Sequence, residues 1–325
     1  MHPIFNLMRK TGLALALAGT AFAAQAAYPD KPIRMVVAYP PGGSTDVIAR
    51  ALALKLGERL KQPVVVENRG GASGMIGSEY VAQQPADGYT LMFTAADTHS
   101  INPHVYAKMR YDGKKDFTPV GRVGFLTMAL IVNPNKPSGS LREYIEAAKA
   151  KSGAFTYASW GTGSSSHVAM QMFADAAQIQ KVHVPFQGAA PAITAVLGGQ
   201  VDAMMVPLTL AEPNHRAGKV KLLGVAAPQR VPFANDFPTL AEQGIPLDGR
   251  LWLGVLGPAK LPADVVSVLH REINAALNDP GLQETMRKNG LGVSPMDTAQ
   301  DFSRYLDAEY DRWGKTIRDA KIRVE

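Results

Sequence analysis

The order of the apolar segments constrains the fold more than any other feature of this sequence. Residues 33–38, 64–66 and 89–94 are short, β-rich apolar runs, and segments compatible with helices separate them. The same order of strand, glycine/serine loop, helix and strand begins again at residue 155. Strands that are apolar throughout are buried on both faces. The pattern therefore predicts an α/β fold with two lobes, each a mostly parallel sheet flanked by helices.

No low-complexity linker separates the two predicted lobes. The apolar stretches near residues 120–132 and 249–256 are candidates for extended segments that cross from one lobe to the other. Two crossings would make the first domain discontinuous. We therefore expect domain 1 to comprise residues 27–126 and 250–325, and domain 2 to comprise residues 127–249.

The N-terminus has the features of a secretory signal peptide. Arg9 and Lys10 precede an apolar run over residues 13–22, and small residues follow it. The run is too short to span a bilayer, which takes roughly 20 residues, although an N-terminal membrane anchor is the alternative. We expect residues 1–26 to be cleaved and the mature protein to be periplasmic.

Composition and motifs exclude several classes of function. The formal net charge is +6 with the positive residues scattered, so no nucleic-acid footprint is present. The absence of cysteine removes thiolate metal sites and cysteine nucleophiles, and no His-Glu-x-x-His pattern occurs. The chain carries neither a P-loop nor a dinucleotide-binding glycine pattern. We expect no cofactor, no metal and no nucleic-acid partner.

Three glycine- and serine-rich loops lead from strands towards predicted helix starts. They are Tyr39-Pro-Pro-Gly-Gly-Ser-Thr-Asp46, Arg69-Gly-Gly-Ala-Ser-Gly74 and Gly161-Thr-Gly-Ser-Ser-Ser-His167. Unpaired N–H groups and the helix dipole favour an anion at such places, and glycine lets the backbone approach it with φ > 0. We expect Ser44, Thr45 or Asp46 to cap the first helix. The alternative is ordinary turn chemistry without a ligand.

The sequence allows two interpretations of each of two further polar residues, Asp97 and Arg250. Asp97 either orients a polar group of a ligand or caps a turn in solvent. Arg250 either pairs with a ligand carboxylate or lies at the surface. Tyr39 is a candidate cleft wall, and a hydrolase would use Ser164–Ser166 with His167, although no nucleophile elbow is present.

Many ordered segments of the chain resemble the Bug family of periplasmic receptors of tripartite tricarboxylate transporters. The matching segments are Tyr28-Pro-Asp-Lys-Pro-Ile-Arg34, Tyr39-Pro-Pro-Gly-Gly-Ser-Thr-Asp46, Val65-Val-Glu-Asn-Arg69, Pro85-Ala-Asp-Gly-Tyr-Thr90, Thr98-His-Ser-Ile-Asn-Pro-His104, Tyr157-Ala-Ser159, Gly163-Ser-Ser-Ser-His167, His183-Val-Pro185 and Leu197-Gly-Gly-Gln-Val-Asp202. The resemblance runs from about Tyr28 to the C-terminus. It is specific to the family and much less specific to a ligand.

The resemblance implies a type II periplasmic-binding-protein fold that closes around one small carboxylate-bearing solute without catalysis. It implies that the first two loops grip a carboxylate through backbone amides and ordered waters, and that the serine loop of the second lobe meets the other end of the ligand. The expected partners are a small organic acid and membrane permease subunits, and the expected state is a monomer. A receptor that presents its ligand to a membrane sensor is the alternative.

Loop chemistry and resemblance together give the candidate ligand-binding residues. They are Tyr39, Gly42, Gly43, Ser44, Thr45, Asp46, Ala72, Ser73, Gly74, Asp97, Thr98, Ser164, Ser165, Ser166, His167 and Arg250. Two positions depart from the family pattern. Val206 stands where relatives commonly carry an acid, and Asp97 stands where they often carry a small residue. An amino-acid ligand is therefore in doubt unless Asp97 binds its ammonium, and a dicarboxylate or an aromatic acid is open.

Overall fold

The computed structural model describes residues 28–136, 139–150 and 155–323. The predicted signal peptide lies outside the described residues. Within the described residues, no helix is both long and apolar enough to cross a bilayer.

The first sheet has six strands and lies in the lobe that begins the described chain. In spatial order they are β11 (Leu291–Val293), β4 (Phe117–Leu126), β10 (Leu251–Pro258), β3 (Thr90–Ala95), β1 (Ile33–Val37) and β2 (Val64–Asn68). Strand β1 pairs in parallel with β2 and β3. Strand β10 is antiparallel to both of its neighbours, and so is β11 to β4. The carboxyl ends of β1, β2 and β3 therefore meet at one edge of the sheet.

The second sheet has five strands with the same arrangement at its centre. In spatial order they are β7 (Val182–Pro185), β6 (Thr156–Ser159), β8 (Ala203–Pro207), β5 (Met128–Val132) and β9 (Lys221–Val225). Strand β6 pairs in parallel with β7 and β8, whereas β5 is antiparallel to β8 and β9. The two-lobed α/β fold is confirmed, with antiparallel strands added to a parallel centre in each lobe.

Helices cover both sheets. They are α1 (Ser44–Leu60), α2 (Met75–Ala82), α3 (Asn102–Val105), α4 (Leu141–Ala150), α5 (Ser165–Ala177), α6 (Ala189–Leu197), α7 (Leu208–Arg216), α8 (Ala263–Leu277), α9 (Pro280–Lys288) and α10 (Ala299–Asp319). Short helical turns precede α2 and α3, at Ala72–Gly74 and Asp97–Ile101. The long helix α1 buries Ile48, Leu52 and Leu56, which is the apolar stripe that predicts it.

The chain passes between the sheets at two neighbouring points. Strand β4 ends at Leu126 in the first sheet, and β5 begins at Met128 in the second, so only Thr127 lies between them. On the return, Gly249 N–H donates to Ala226 O, and Leu251 then pairs with Leu126 in the first sheet. Two short connections that lie side by side are suited to a hinge. The domain boundaries at 126/127 and 249/250 remain a prediction.

Two local expectations are wrong. The expectation of a buried strand is wrong for β2, which lies at the edge of the sheet with Val65 56% exposed. Strand β1 pairs with β2 on one side and with β3 on the other, so β2 has a neighbouring strand on one side only within the described sheet. Helix α1 is not capped by Ser44, Thr45 or Asp46; its N-cap residue is Gly43. The carboxylate of Asp46 points back to the loop instead, as the site geometry explains.

Candidate functional site

The first loop, between β1 and α1, is fixed by a buried carboxylate. Gly42 N–H donates to Asp46 Oδ2 at 2.9 Å, and Asn68 Nδ2 donates to Asp46 Oδ1 at 2.8 Å and to Tyr39 O at 3.1 Å. Burial alone would raise the pKa of Asp46, but these hydrogen bonds and Arg50 outweigh it and hold the pKa below its ordinary value. Asp46 is therefore an ionised anchor of the loop and has its acceptor sites filled by the chain.

This anchoring leaves the start of α1 open to a ligand. The N-cap residue is Gly43, and within the described part of the chain no side chain forms a capping hydrogen bond there. The first N–H groups of an α-helix have no acceptors within the helix. Ser44 and Thr45 are half-buried there, and Gly42 and Gly43 are exposed. The N–H groups of this turn can receive a carboxylate.

Asn68 is a site residue that the sequence analysis does not single out, because asparagine after a strand is common turn chemistry. It joins the first two loops through one amide group. We expect Asn68→Ala to lower the free energy of unfolding by about 1–2 kcal/mol and to weaken ligand binding, because two loop contacts are lost together. Chemical denaturation and calorimetry measure the two effects. An unchanged affinity would contradict the role of this amide in shaping the first loop.

The second loop has a left-handed backbone at three consecutive residues. The φ angles are 47° at Ala72, 53° at Ser73 and 85° at Gly74. Residues other than glycine rarely adopt this region, and such strain persists only where surrounding contacts hold it. Here Asn102 Nδ2 donates to Ser73 O at 2.9 Å, and Ser73 Oγ lies 3.0 Å from Tyr106 Oη.

Gly74 is required because the second loop touches the turn that follows β3. A Cβ atom at Gly74 would lie 2.6 Å from Thr98 Cγ2. Thr98 itself is fully buried, with its Oγ1 2.8 Å from Thr94 Oγ1 and its carbonyl accepting from Tyr111 Oη. The loops after β2 and β3 are therefore packed against each other, and the buried Thr98 side chain forms this contact.

Asp97 joins this group of loops to the second lobe. The residue is 8% exposed, and its Oδ1 accepts from the N–H of Ser165, the first residue of α5, at 3.3 Å. Burial raises the pKa of the Asp97 carboxyl, and its contacts with Ser165 oppose the rise. The solvated alternative for Asp97 is wrong, because the two lobes enclose it.

The three serines of the second-lobe loop have different roles. Ser164 caps α5 by accepting from His167 N–H, and its Oγ donates to Gly161 O at 2.6 Å. Ser166 Oγ donates to Met205 O at 2.6 Å. Ser165 Oγ is buried and has no hydrogen-bond partner among the described residues; it lies beside Asp97 without hydrogen-bond geometry. Of the three hydroxyls, that of Ser165 is the one left for a ligand.

His167 does not have the geometry of a general base. Its Nδ1 accepts from Gly163 N–H at 3.0 Å, and its ring stacks on His183 at 3.7 Å between centroids. Burial, with a smaller contribution from His183, lowers the pKa of His167 to about 3. The Ser164 and Ser166 hydroxyls donate to carbonyls, so neither is paired with His167 for nucleophilic attack. Outside this loop, Ser159 Oγ lies 2.7 Å from His183 Nε2 and is also 2.9 Å from Gly161 O.

Two further candidates have distinct positions. Tyr39 is half-buried with its Oη buried near Thr94 and Asp97, and burial raises its pKa well above the ordinary value. Arg250 forms two hydrogen bonds with the Asp248 carboxylate, at 2.9 and 2.7 Å, and its guanidinium lies over the Phe125 ring. Arg250 already has a carboxylate partner within the chain. The structure does not bring it together with the loops that meet at Asp97.

An open cleft of about 470 Å³ lies at the other edge of the first sheet. Its charged residues pair with each other, Lys31 with Asp87 at 3.9 Å and Arg34 with Glu67 at 3.4 Å. It is at the amino ends of β1 and β3, whereas ligands of open α/β sheets bind beyond the carboxyl ends. We therefore place the candidate site at the loops. The described residues contain no group of three metal-ligating side chains.

A family model described as the tripartite tricarboxylate transporter family receptor matches residues 48–322. The chain belongs to this receptor family. It is 32% identical to Protein BugT of Bordetella pertussis over 98% of this chain and 99% of that protein, which confirms the resemblance to the Bug family. Receptors of this family are periplasmic solute-binding proteins.

Two solved structures with bound ligands have the same fold. The Rhodopseudomonas palustris protein Rpa4515 with adipate is 31% identical, has a TM-score of 0.83, and is matched over 91% of this chain and 100% of that one. MatC from the same organism with bound malate is 28% identical, has a TM-score of 0.78, and is matched over 89% of this chain and 100% of that one. Adipate and malate, the ligands of those two receptors, are both dicarboxylates.

Proposed function

We propose that this protein is a periplasmic receptor that binds one small organic acid between its lobes and delivers it, unchanged, to the permease subunits of a tripartite tricarboxylate transporter. The observation that carries the proposal is the contact between Asp97 and Ser165. This contact joins the turn after β3 to the start of α5, and the same turn packs against the second loop, where a Cβ atom at Gly74 would lie 2.6 Å from Thr98 Cγ2. The ligands named for Rpa4515 and MatC support a carboxylate as the recognised group.

In the proposed mechanism, the ligand carboxylate meets the N–H groups at the start of α1 and in the turn Ala72–Gly74. These dipolar donors neutralise a carboxylate without a fixed countercharge, which would slow release. The other end of the ligand reaches Ser165 and Asp97. The ligand stabilises the closed arrangement by binding it more tightly than an open one, and the two connections near Thr127 and Gly249 act as the hinge.

A thermal-shift screen with a panel of aliphatic, amino and aromatic carboxylic acids tests this function. We expect at least one acid to raise the melting temperature, with micromolar or tighter binding in calorimetry. Mass analysis after prolonged incubation should return the acid unchanged. A chemically altered acid would support a hydrolase instead, and a panel without any hit would overturn the proposal.

We expect Ser165→Ala to weaken ligand affinity by about 1 kcal/mol or more, which is roughly 5- to 10-fold. The melting temperature of the ligand-free protein should not change, because Ser165 Oγ has no hydrogen-bond partner among the described residues. Calorimetry and thermal unfolding measure the two quantities.

Ser164→Ala is the matched control for this prediction. It removes a helix cap and the bond to Gly161 O, so it should lower stability by about 1 kcal/mol. If Ser165→Ala binds like the wild type, the serine loop does not contact the ligand.

A further inference from the structure

The Asp97 carboxylate is an unusual group to find at the meeting point of the lobes. It is buried, and no Lys, Arg or His among the described residues forms an ion pair with it. Across the interface it accepts a hydrogen bond from Ser165 N–H. An ionised carboxylate in a buried place costs free energy unless it is fully hydrogen-bonded, and the bond from Ser165 N–H is long, at 3.3 Å.

Asp97 also occupies a position that would otherwise suit an anion. Ser165 is the first residue of α5, a helix of 13 residues, and the N-terminus of a helix favours negative charge. A ligand whose second carboxylate approached Ser165 N–H would have to share that donor with Asp97. Two negative charges would then face each other in a region of low dielectric, which disfavours the complex.

Two buried hydroxyl groups lie on the segments that meet near Asp97. Tyr39 Oη and Ser165 Oγ are both buried, and neither has a hydrogen-bond partner within the part of the chain that the structure describes. Tyr39 and Asp97 follow the carboxyl ends of the neighbouring parallel strands β1 and β3, where Val37 pairs with Phe93. Buried polar atoms without partners are uncommon in proteins, and here both belong to segments that lead to or contact the turn of Asp97.

We propose that Asp97 determines ligand specificity: it accepts a hydrogen bond from a donor group at the distal end of the ligand, and an ammonium group fits this place best. The ligand would then be a monocarboxylate that carries an amino group, not a dicarboxylate. The Asp97 carboxylate balances the ammonium, and the hydroxyls of Tyr39 and Ser165 complete its hydrogen bonds. This inference rests on the proposed function and specifies its substrate class.

Calorimetry with matched pairs of probes tests the inference. Each pair has one chain length and differs only in the distal group: succinate and 4-aminobutanoate, glutarate and 5-aminopentanoate, adipate and 6-aminohexanoate. We expect the wild type to bind the amino acid of its best pair at least about 10-fold more tightly than the diacid. In Asp97→Asn, this preference should fall by at least about 10-fold, because the amide carries no charge.

Asp87→Asn is the matched control, since it removes one carboxylate at the far edge of the first sheet. It should leave the ratio within each pair unchanged. Asp97→Asn should also raise the melting temperature of the ligand-free protein, because a neutral amide is buried at a lower cost than a carboxylate. Asp97→Ser provides a second neutral variant if the asparagine variant does not fold.

The outcomes separate this inference from the function on which it rests. A wild type that prefers the diacids, or a preference for amino acids that Asp97→Asn and Asp97→Ser leave intact, overturns the role of Asp97. If no probe of the three pairs binds but another acid of the screening panel does, the inference is overturned and the receptor function stands. If no acid of the panel binds, both are overturned.

Discussion

Gly43→Val is expected to weaken ligand binding by at least about 100-fold while the ligand-free protein keeps its stability. The backbone at Gly43 is extended, with φ −78° and ψ 164°, which valine adopts readily. A Cβ atom there would have no neighbour within 4 Å. The valine side chain would instead fill the open space at the start of α1, where the ligand carboxylate is proposed to approach. Losing two charge-assisted hydrogen bonds at about 1.5 kcal/mol each gives this factor.

Gly42→Ala is the control for this experiment, because it should have the opposite profile. Gly42 has φ +85°, so an alanine there is strained by about 1 kcal/mol, while its small side chain does not extend over the helix start. Calorimetry gives the affinity, and thermal unfolding without ligand gives the stability. Binding at the wild-type level by Gly43→Val would mean that the carboxylate does not approach α1.

The same pair of glycines illustrates what the sequence can and cannot specify. Two adjacent glycines before a helix indicate a tight turn, and the expectation of φ > 0 holds for Gly42. It does not hold for Gly43, which has φ −78° although it is the same residue type. The turn at Gly42 is fixed by the hydrogen bond from Gly42 N–H to the Asp46 carboxylate. Asn68, at the end of β2, holds that carboxylate in place, so the turn depends on a residue that is distant in sequence.

Local patterns predicted most of the elements because each one carries its own signal. Residues 182–185 predict a strand, and the helical spacing of Val266, Leu269, Ile273 and Leu277 predicts a helix over residues 263–277. The structure has both elements with these bounds, Val182–Pro185 and Ala263–Leu277. The short strand Leu291–Val293 and the helix Leu208–Arg216, which contains Pro213, were not predicted. The first has too few residues for a periodic signal, and a proline within a helix usually argues against one.

The candidate site was predicted in part, because loop chemistry identifies a place and not a partner. Nothing in three consecutive serines distinguishes Ser165 from its neighbours, since the carbonyls of Gly161 and Met205 that engage the others come from distant residues. Arg250 is a basic residue at the crossing segment, but Asp248 two positions earlier binds it. Only tertiary contacts reveal which polar groups are already paired.

Acid is expected to destabilise the protein through the stacked histidines of the second lobe. Burial lowers the pKa of His167 to about 3 and that of His183 to about 4, whereas histidine in an unfolded chain titrates near 6.5. As the pH falls below about 6.5, the unfolded chain takes up protons that the folded protein does not. The contribution of this pair to stability is therefore complete above about pH 6.5 and is lost progressively as the pH falls towards the folded values.

Thermal unfolding between pH 7 and pH 4.5 measures this effect, and we expect the melting temperature to fall by at least about 5 °C, which corresponds to roughly 2 kcal/mol. His183 is only partly buried, so solvent screening reduces its share. Replacing His167 or His183 by glutamine should flatten the pH dependence, whereas His270→Gln on α8 should not. Ligand affinity should not fall over this range on account of His167, because with a pKa of about 3 the ring stays neutral and its Nδ1 still accepts from Gly163 N–H. A melting temperature that follows pH equally in the wild type and in both variants would show that other groups govern the acid response.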